Sequence, residues 1–192
     1  MNISSYIEIM NSAIVSAAHP PAPDPEQFKP TAVMALFLFR REPELLFIQK
    51  ADREGYAWRN QMAFPGGHVD QTDKSARQAA FRELYEETGI LADNVKYIGS
   101  LGHFQTLKNR DIQAFTGIWN QKDDIVVEAE EISRVLKIPY QTLLTTHREN
   151  GYADHRPNVM ELKYPYKDVV IWGVTAQIVH HLIEVIGDIS SA

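Results

Sequence analysis

The sequence predicts a mixed α/β fold, and three observations lead to that prediction. Short apolar runs separated by polar turns fill the middle of the chain, a pattern typical of strands. Residues 74–87 lie between those runs and contain no glycine or proline, which favours a helix. A second stretch with helical periodicity follows at 175–186. Because strands precede and follow the central helix, we expect a sheet that is only partly parallel.

Composition bounds the protein class. The 192 residues suffice for one domain with a terminal extension. Hydrophobic residues make up 44% and charged residues 23%, as in ordinary globular proteins. A formal net charge of −6 argues against nucleic acids and acidic membranes as partners, while leaving room for a local basic pocket.

Location and redox chemistry are only loosely constrained. The chain has no cysteine, which excludes disulfides and thiolate metal sites. No apolar run approaches the roughly 20 residues that span a bilayer. The first twenty residues lack a basic leader and carry Glu8 among apolar residues, so we expect a cytoplasmic protein rather than a secreted one.

Residues 1–30 read as an N-terminal helix and proline-rich arm, ahead of a domain over 31–192. A short helix is predicted for 3–18, and five prolines among residues 19–30 then favour extended chain. We interpret the arm as a packing element or a dimer contact, with a substrate role as the alternative. A homodimer is compatible with this interpretation, because the arm needs a surface to lie on.

The first half of the domain is predicted as strands around a glycine-rich turn. Apolar runs at 31–39 and 44–50 flank a charged turn and predict a hairpin or two sequential strands. Residues 52–60 form a loop, and 61–64 form a short strand that ends before Gly66 and Gly67.

The central helix has signals at both ends. Thr72 or Asp73 is a suitable N-cap, and Gly89 stands where a left-handed C-cap residue belongs. Strands are predicted next at 94–106 and 111–120, joined by a polar turn.

The remaining elements follow a proline break. Residues 131–146 are interrupted at Pro139, 169–174 predict a buried strand, and 175–186 predict an amphipathic helix.

Three carboxylates share one face of the central helix. At about 100° per residue, Glu87 lies about 40° to one side of Glu83 and Glu86 about 60° to the other. Ala76 and Ala79 lie earlier on this face, which predicts a smooth, approachable surface.

Local physics opposes this carboxylate cluster. Like charges at helical spacing destabilise a helix by roughly 0.2–0.5 kcal/mol per pair, and the C-terminal dipole disfavours anions. A hard divalent cation would compensate. The alternative is a solvated acidic surface. Arg82 precedes the first carboxylate and faces Glu86 at i+4, so we expect it to hold that side chain. Gly66 and Gly67 would give a metal or phosphate close access to the backbone.

The whole string resembles the Nudix hydrolase signature. That signature reads G, five residues, E, seven residues, then R-E-U-x-E-E-x-G-U, where U is aliphatic. The matching positions here are Gly67, 82–84, 86–87 and 89–90. One departure is Asp73, which replaces the first Glu and is separated from the arginine by eight residues instead of seven.

That longer spacing, with "FPGGHVDQTD" at 64–73, resembles the coenzyme A diphosphatase branch of the family. Residues 45–50 and 171–182 also resemble that branch, so the likeness covers about 31–186. Lys50-Ala51 replaces the Arg-Ser pair of the branch, and Asn60 replaces a glycine, so coenzyme A specificity carries over less firmly than the metal site.

The resemblance implies a Nudix-type α/β/α sandwich with a mixed β-sheet. It also implies a Mg²⁺-dependent hydrolase, with Mn²⁺ as an alternative metal, acting on a small-molecule nucleotide diphosphate. Coenzyme A or an acyl-CoA is the first expectation. ADP-ribose, a nucleotide sugar or a nucleoside triphosphate is the alternative, and a non-catalytic nucleotide-sensing domain is a third hypothesis.

Residue roles follow from the same resemblance. The expected metal ligands are Glu83, Glu86, Glu87 and the Gly66 carbonyl. Glu83 and Glu86 also count as catalytic, and Arg82 is expected to orient a carboxylate.

The general base and the substrate contacts are less determined by the sequence. Glu131 is the candidate general base, with an exposed loop acid as the alternative. Tyr56, Trp58 and Phe104 could stack on a base or merely pack. The expected substrate-binding residues are Gly67, His68, Arg59, Lys108 and Arg110.

Overall fold

The structure is a computed structural model that describes residues 3–54, 59–155 and 157–189. These residues form four helices and nine strands, with one short 3₁₀ turn at Ala92–Asn94. The helices are α1 (Ile3–Ser16), α2 (Ala76–Thr88), α3 (Tyr140–Glu149) and α4 (Gly173–Ile186). The strands are β1 (Lys29–Phe39), β2 (Pro43–Lys50), β3 (Met62–Ala63), β4 (Gly66–His68), β5 (Val95–Gln105), β6 (Arg110–Trp119), β7 (Ile132–Pro139), β8 (Lys163–Tyr166) and β9 (Val169–Trp172).

The main sheet is mixed, as predicted. Its strand order is β3-β2-β1-β6-β5, with β4 pairing to β1 and β7 pairing to β2. Strands β1 and β6 run parallel, whereas the other pairs in this sheet are antiparallel. Along one edge, strand β1 therefore pairs with β4 in its first half and with β2 in its second half.

Helices cover both faces of this sheet and make an α/β/α sandwich. Alternate residues of β1 point to opposite faces. Met34 and Leu36 pack with Leu84 of α2 on one face. Phe37 packs on the other face in a larger core that includes α1, α3 and α4. The predicted fold class is confirmed.

The N-terminal segment packs on its own chain. Met10 and Ile14 of α1 are buried in the larger core. His19 Nδ1 lies 2.9 Å from His181 Nε2 on α4, and the Pro20 carbonyl accepts a hydrogen bond from the His103 N–H at 2.9 Å. The arm therefore packs against its own chain. It does not need a second subunit as the surface on which it lies.

Two predictions for the C-terminal third need correction. The break at Pro139 ends β7 there, but residues 140–149 then form α3, which was not predicted. The predicted buried strand forms β9, which pairs only with β8 among the described residues. Val170 and Trp172 are 42% and 44% exposed, because this two-stranded hairpin buries one face only. Among the described residues, none of the helices is long and apolar enough to cross a membrane.

The cap of α2 differs from the prediction at one end only. The Ser75 side chain accepts a hydrogen bond from the Gln78 N–H at 3.2 Å, so Ser75 is the N-cap rather than Thr72 or Asp73. Gly89 has φ 74°, and its N–H donates to the Tyr85 carbonyl, as a left-handed C-cap requires.

This cap gives a stability prediction. Ser75→Ala removes the side chain that caps the Gln78 N–H at the start of α2 and should lower the free energy of unfolding by about 1 kcal/mol. Urea denaturation measures it, with Thr72→Ala as the matched control that should change little. Equal losses for the two variants would contradict the assignment of the cap.

Candidate functional site

The acidic face of α2 lies against the glycine turn because of the way β4 pairs. Strand β4 runs antiparallel to the first half of β1, with Gly67 opposite Ala32 and Gly66 opposite Val33. A Cβ at Gly66 would lie 2.2 Å from the Ala32 carbonyl oxygen, so only glycine allows this approach.

Glu87 is the most buried of the three carboxylates, at 5% exposure. Its Oε2 accepts a hydrogen bond from the Gly66 N–H at 2.8 Å, and its Oε1 pairs with the ammonium group of Lys50. Burial raises the pKa of Glu87, an effect that Lys50 and the Gly66 N–H oppose. The glycine turn, strand β2 and helix α2 therefore meet at this carboxylate.

Glu83 lies one turn earlier and faces Gly67. A Cβ at Gly67 would lie 2.4 Å from the Glu83 carboxylate, so the glycine makes room for it. Burial raises the pKa of Glu83, and the Arg82 guanidinium opposes that rise. Gly66 thus donates a hydrogen bond to Glu87, and Gly67 leaves space for Glu83.

Arg82 is the hub of the cluster. Its Nη1 lies 2.9 Å from Glu83 Oε1 and 3.0 Å from Glu86 Oε2, so the ion pair predicted from i+4 spacing is present. Its Nη2 donates to Asp73 and to the His68 carbonyl, both at 2.9 Å. The Arg82 guanidinium holds the pKa of Asp73 below its usual range. Asp73 therefore anchors Arg82 instead of capping the helix.

The approachable surface predicted along the helix is wrong for Ala79. This residue is fully buried and packs with Leu84 under the sheet. The 100° wheel places it near the carboxylates, but in the structure its side chain belongs to the core between α2 and the sheet. Glu86, at 53% side-chain exposure, is the carboxylate most open to solvent.

The carboxylate oxygens of this site are of the type that binds a hard divalent cation. Carboxylate oxygens are the ligands that Mg²⁺ prefers, and Gly67 leaves the Glu83 carboxylate space that a side chain would fill. Within residues 3–54, 59–155 and 157–189, no three Asp, Glu or His side chains already meet as a metal cage. Lys50 and Arg82 instead offset part of the negative charge of Glu83, Glu86 and Glu87.

The residues predicted to bind substrate do not all lie together. His68 Nε2 contacts the guanidinium of Arg110, and burial together with that neighbour lowers the pKa of His68. Lys108 lies in the β5–β6 turn, two residues before Arg110, and both line one concavity. Arg59 pairs with Asp52 in the loop after β2, so it does not join that group.

The candidate general base lies near the end of β2. The Glu131 carbonyl accepts a hydrogen bond from the Ala51 N–H at 2.8 Å, next to the lysine that pairs with Glu87. Its side chain is exposed. Of the aromatic candidates, Phe104 is a core residue, while Tyr56 and Trp58 lie outside the described residues.

Sequence reasoning missed two residues of this site. Lys50 pairs with Glu87 across 37 positions, and the only signal was a lysine at the end of an apolar strand. Lys29 lies beside Arg110 at the start of β1, where the parallel register places it. Neither contact has a local sequence pattern.

Comparison with known proteins points to one family. The family model described as "NUDIX domain" matches residues 28–161. An "Uncharacterized Nudix hydrolase NudL" from Yersinia pestis (strain Pestoides F) is 31% identical over 154 residues, which cover 79% of this chain and 76% of that protein. The relative of the same name from Yersinia pseudotuberculosis serotype O:3 (strain YPIII) gives the same values.

Two solved structures share the fold. A MutT/nudix family protein from Enterococcus faecalis aligns with a TM-score of 0.56 at 14% identity, over 96% of this chain and 69% of that chain. A C. elegans Ap4A hydrolase binary complex aligns with a TM-score of 0.51 at 19% identity, over 65% and 88%. At these identities the likeness establishes the fold.

Proposed function

This chain belongs to the Nudix hydrolase family, and on that premise we propose that it hydrolyses the diphosphate of coenzyme A or an acyl-CoA in the presence of Mg²⁺. The observation that carries the proposal is the joint placement of Glu83 and Glu87 against the Gly66-Gly67 turn. Intact carboxylates argue against a non-catalytic sensing domain. The branch is supported by the "FPGG" opening and by Asp73, whose carboxylate holds Arg82.

The reaction needs charge neutralisation and a deprotonated water. Water forms a bond to one phosphorus, the bond from that phosphorus to the bridging oxygen breaks, and two phosphate monoesters and a proton result. Mg²⁺ supplies positive charge for the diphosphate and acidifies bound water. We assign its ligands to Glu83, Glu86, Glu87 and the Gly66 carbonyl.

The chain's own residues prepare this site. Arg82 bonds to Glu83 and Glu86 and fixes their orientation, so we assign it a positioning role. Lys50 favours the ionised form of Glu87 despite its burial. We propose Glu131 as the base that accepts the proton of the attacking water, because its segment is tied to the end of β2.

The substrate contacts are assigned by position. Gly67 and His68 border the carboxylates along β4, and Arg110 contacts His68. We propose that these residues, with Lys108 and Arg59, meet the anionic parts of the substrate. We also propose that residues 31–192 form the catalytic domain, with residues 1–30 as a packed arm, and that the protein works in the cytoplasm.

A panel of diphosphates tests the substrate. Coenzyme A, ADP-ribose, a nucleotide sugar and a nucleoside triphosphate are each incubated with Mg²⁺, and the products are separated chromatographically. We expect coenzyme A to give 3′,5′-ADP and 4′-phosphopantetheine with the highest kcat/KM. Absence of coenzyme A turnover beside turnover of another compound would overturn the substrate. Absence of all turnover would contradict the proposed activity.

A further inference from the structure

A basic concavity lies beside the carboxylate site, and Arg82 is not one of the residues that line it. It has a volume of about 460 Å³ and opens where β1 begins and the β5–β6 turn ends. Three of its lining residues are cationic and one is acidic, in a chain whose net charge is −6. The lining residues are Glu26, Gln27, Phe28, Lys29, Lys108, Asn109 and Arg110.

The strand register brings the three cations together. Strands β1 and β6 are parallel with Lys29 opposite Arg110, so the two side chains share one face of the sheet. Lys108 follows from the turn, where Asn109 has a left-handed φ of 54°. The Lys29 N–H donates to the Asn109 carbonyl at 2.9 Å, which ties the turn to the start of β1. Lys29 and Arg110 therefore sit on paired strands, and Lys108 sits on a turn that is hydrogen-bonded to β1.

One residue connects this concavity to the carboxylate site. The His68 carbonyl accepts a hydrogen bond from Arg82, while His68 Nε2 contacts the Arg110 guanidinium. His68 lies two positions after Gly66, which contacts Glu87, a span of roughly 7 Å in a strand. A ligand whose diphosphate lies at the carboxylates would thus place in the concavity a group that is about one sugar away from that diphosphate.

We propose that Lys29, Lys108 and Arg110 form a subsite for a phosphate monoester that the substrate carries apart from its scissile diphosphate. Lysine and arginine are the side chains that bind phosphate oxygens with charge-assisted hydrogen bonds. Glu26 at the rim opposes anions and limits the affinity. The inference rests on the proposed function, because it places the diphosphate at the carboxylates, and it makes this subsite the determinant of substrate choice.

Paired substrates test the subsite. Coenzyme A and 3′-dephospho-coenzyme A differ only in the ribose phosphate. The Lys29→Gln/Lys108→Gln double variant should lose about ten-fold or more in kcat/KM for coenzyme A, and less than about two-fold for the dephospho compound. Glu26→Gln should raise kcat/KM for coenzyme A alone. Equal losses on both substrates, or no loss on coenzyme A, would overturn the proposal.

The control removes one lysine charge at a site away from the concavity. Lys96 is exposed at the opposite end of β5, so Lys96→Gln should leave both substrates unchanged. Circular dichroism and thermal melting confirm that each variant is folded.

A binding experiment separates this inference from the proposed function. If neither coenzyme compound is hydrolysed, the proposed function fails, and calorimetry with 3′,5′-ADP and 5′-AMP decides the subsite alone. The subsite predicts that the wild type binds 3′,5′-ADP about ten-fold more tightly than 5′-AMP, and that the double variant loses this difference. Equal Kd values for the two ligands in the wild-type protein would overturn it.

Discussion

Glu83→Gln is expected to lower the rate of hydrolysis about 100- to 1,000-fold while the protein stays folded. The glutamine has nearly the same volume, so it fits the space that Gly67 leaves. Its amide oxygen can still accept the hydrogen bond that Arg82 Nη1 donates at 2.9 Å. Only the negative charge is removed, and that charge is what the proposed cation and the anionic diphosphate require.

The measurement is kcat with saturating substrate and Mg²⁺, alongside thermal melting. Glu149→Gln is the matched control, because Glu149 is an exposed helical glutamate on α3, outside the site. It should retain full activity. A Glu83→Gln protein that keeps more than about one tenth of the wild-type rate would show that this carboxylate is not needed for the chemistry.

Lys50→Met is expected to destabilise the fold by about 3–5 kcal/mol, because it leaves the buried carboxylate of Glu87 without its cation. The Lys50 side chain is 14% exposed and that of Glu87 is 5% exposed, so solvent replaces little of the lost pairing. Methionine matches the lysine stem in length and keeps its packing. Urea denaturation measures the free energy of unfolding.

The double variant Lys50→Met/Glu87→Met separates pairing from packing. With both charges removed, no buried charge is left unpaired, and much of the loss from Lys50→Met should be recovered. The Gly66 N–H loses its acceptor, which costs about 1 kcal/mol and limits the recovery. Additive losses from Lys50→Met and Glu87→Met would contradict the pairing.

An exposed ion pair provides the comparison. Arg53 and Glu130 lie 3.5 Å apart with side chains 59% and 77% exposed. Arg53→Met should therefore change the free energy of unfolding by less than about 1 kcal/mol. A loss as large as that of Lys50→Met would mean that burial does not account for the difference.

The elements that sequence predicted well are those with local signals. The hairpin of β1 and β2 followed from two apolar runs around a charged turn, and Gly89 marked the end of α2. The sequence does not reveal helix α3, because Pro139 indicates a break within one segment, whereas it both ends a strand and precedes a helix. The exposed face of β9 arises because, in the part of the chain that the structure describes, it pairs with β8 alone, and no periodicity reveals this.

The same distinction explains the site. Arg82 and Glu86 could be paired from helical spacing alone. The role of Asp73 was misjudged because an acidic residue near a helix start normally caps it, and only the loop conformation turns it toward Arg82. Lys50 and Glu87 meet only in the folded chain. Sequence therefore identified the carboxylates and Arg82, and the structure added Lys50 as the partner of Glu87.

The proposed activity requires that the carboxylates of α2 bind the divalent cation used in hydrolysis. Titration of Mn²⁺ into the protein, followed by the electron paramagnetic resonance signal of the free ion, tests it directly and without turnover. We predict that the wild-type protein depletes free Mn²⁺ and that Glu83→Gln weakens this binding about ten-fold or more. Equal Mn²⁺ affinities for the two proteins would contradict the assignment of Glu83 as a metal ligand.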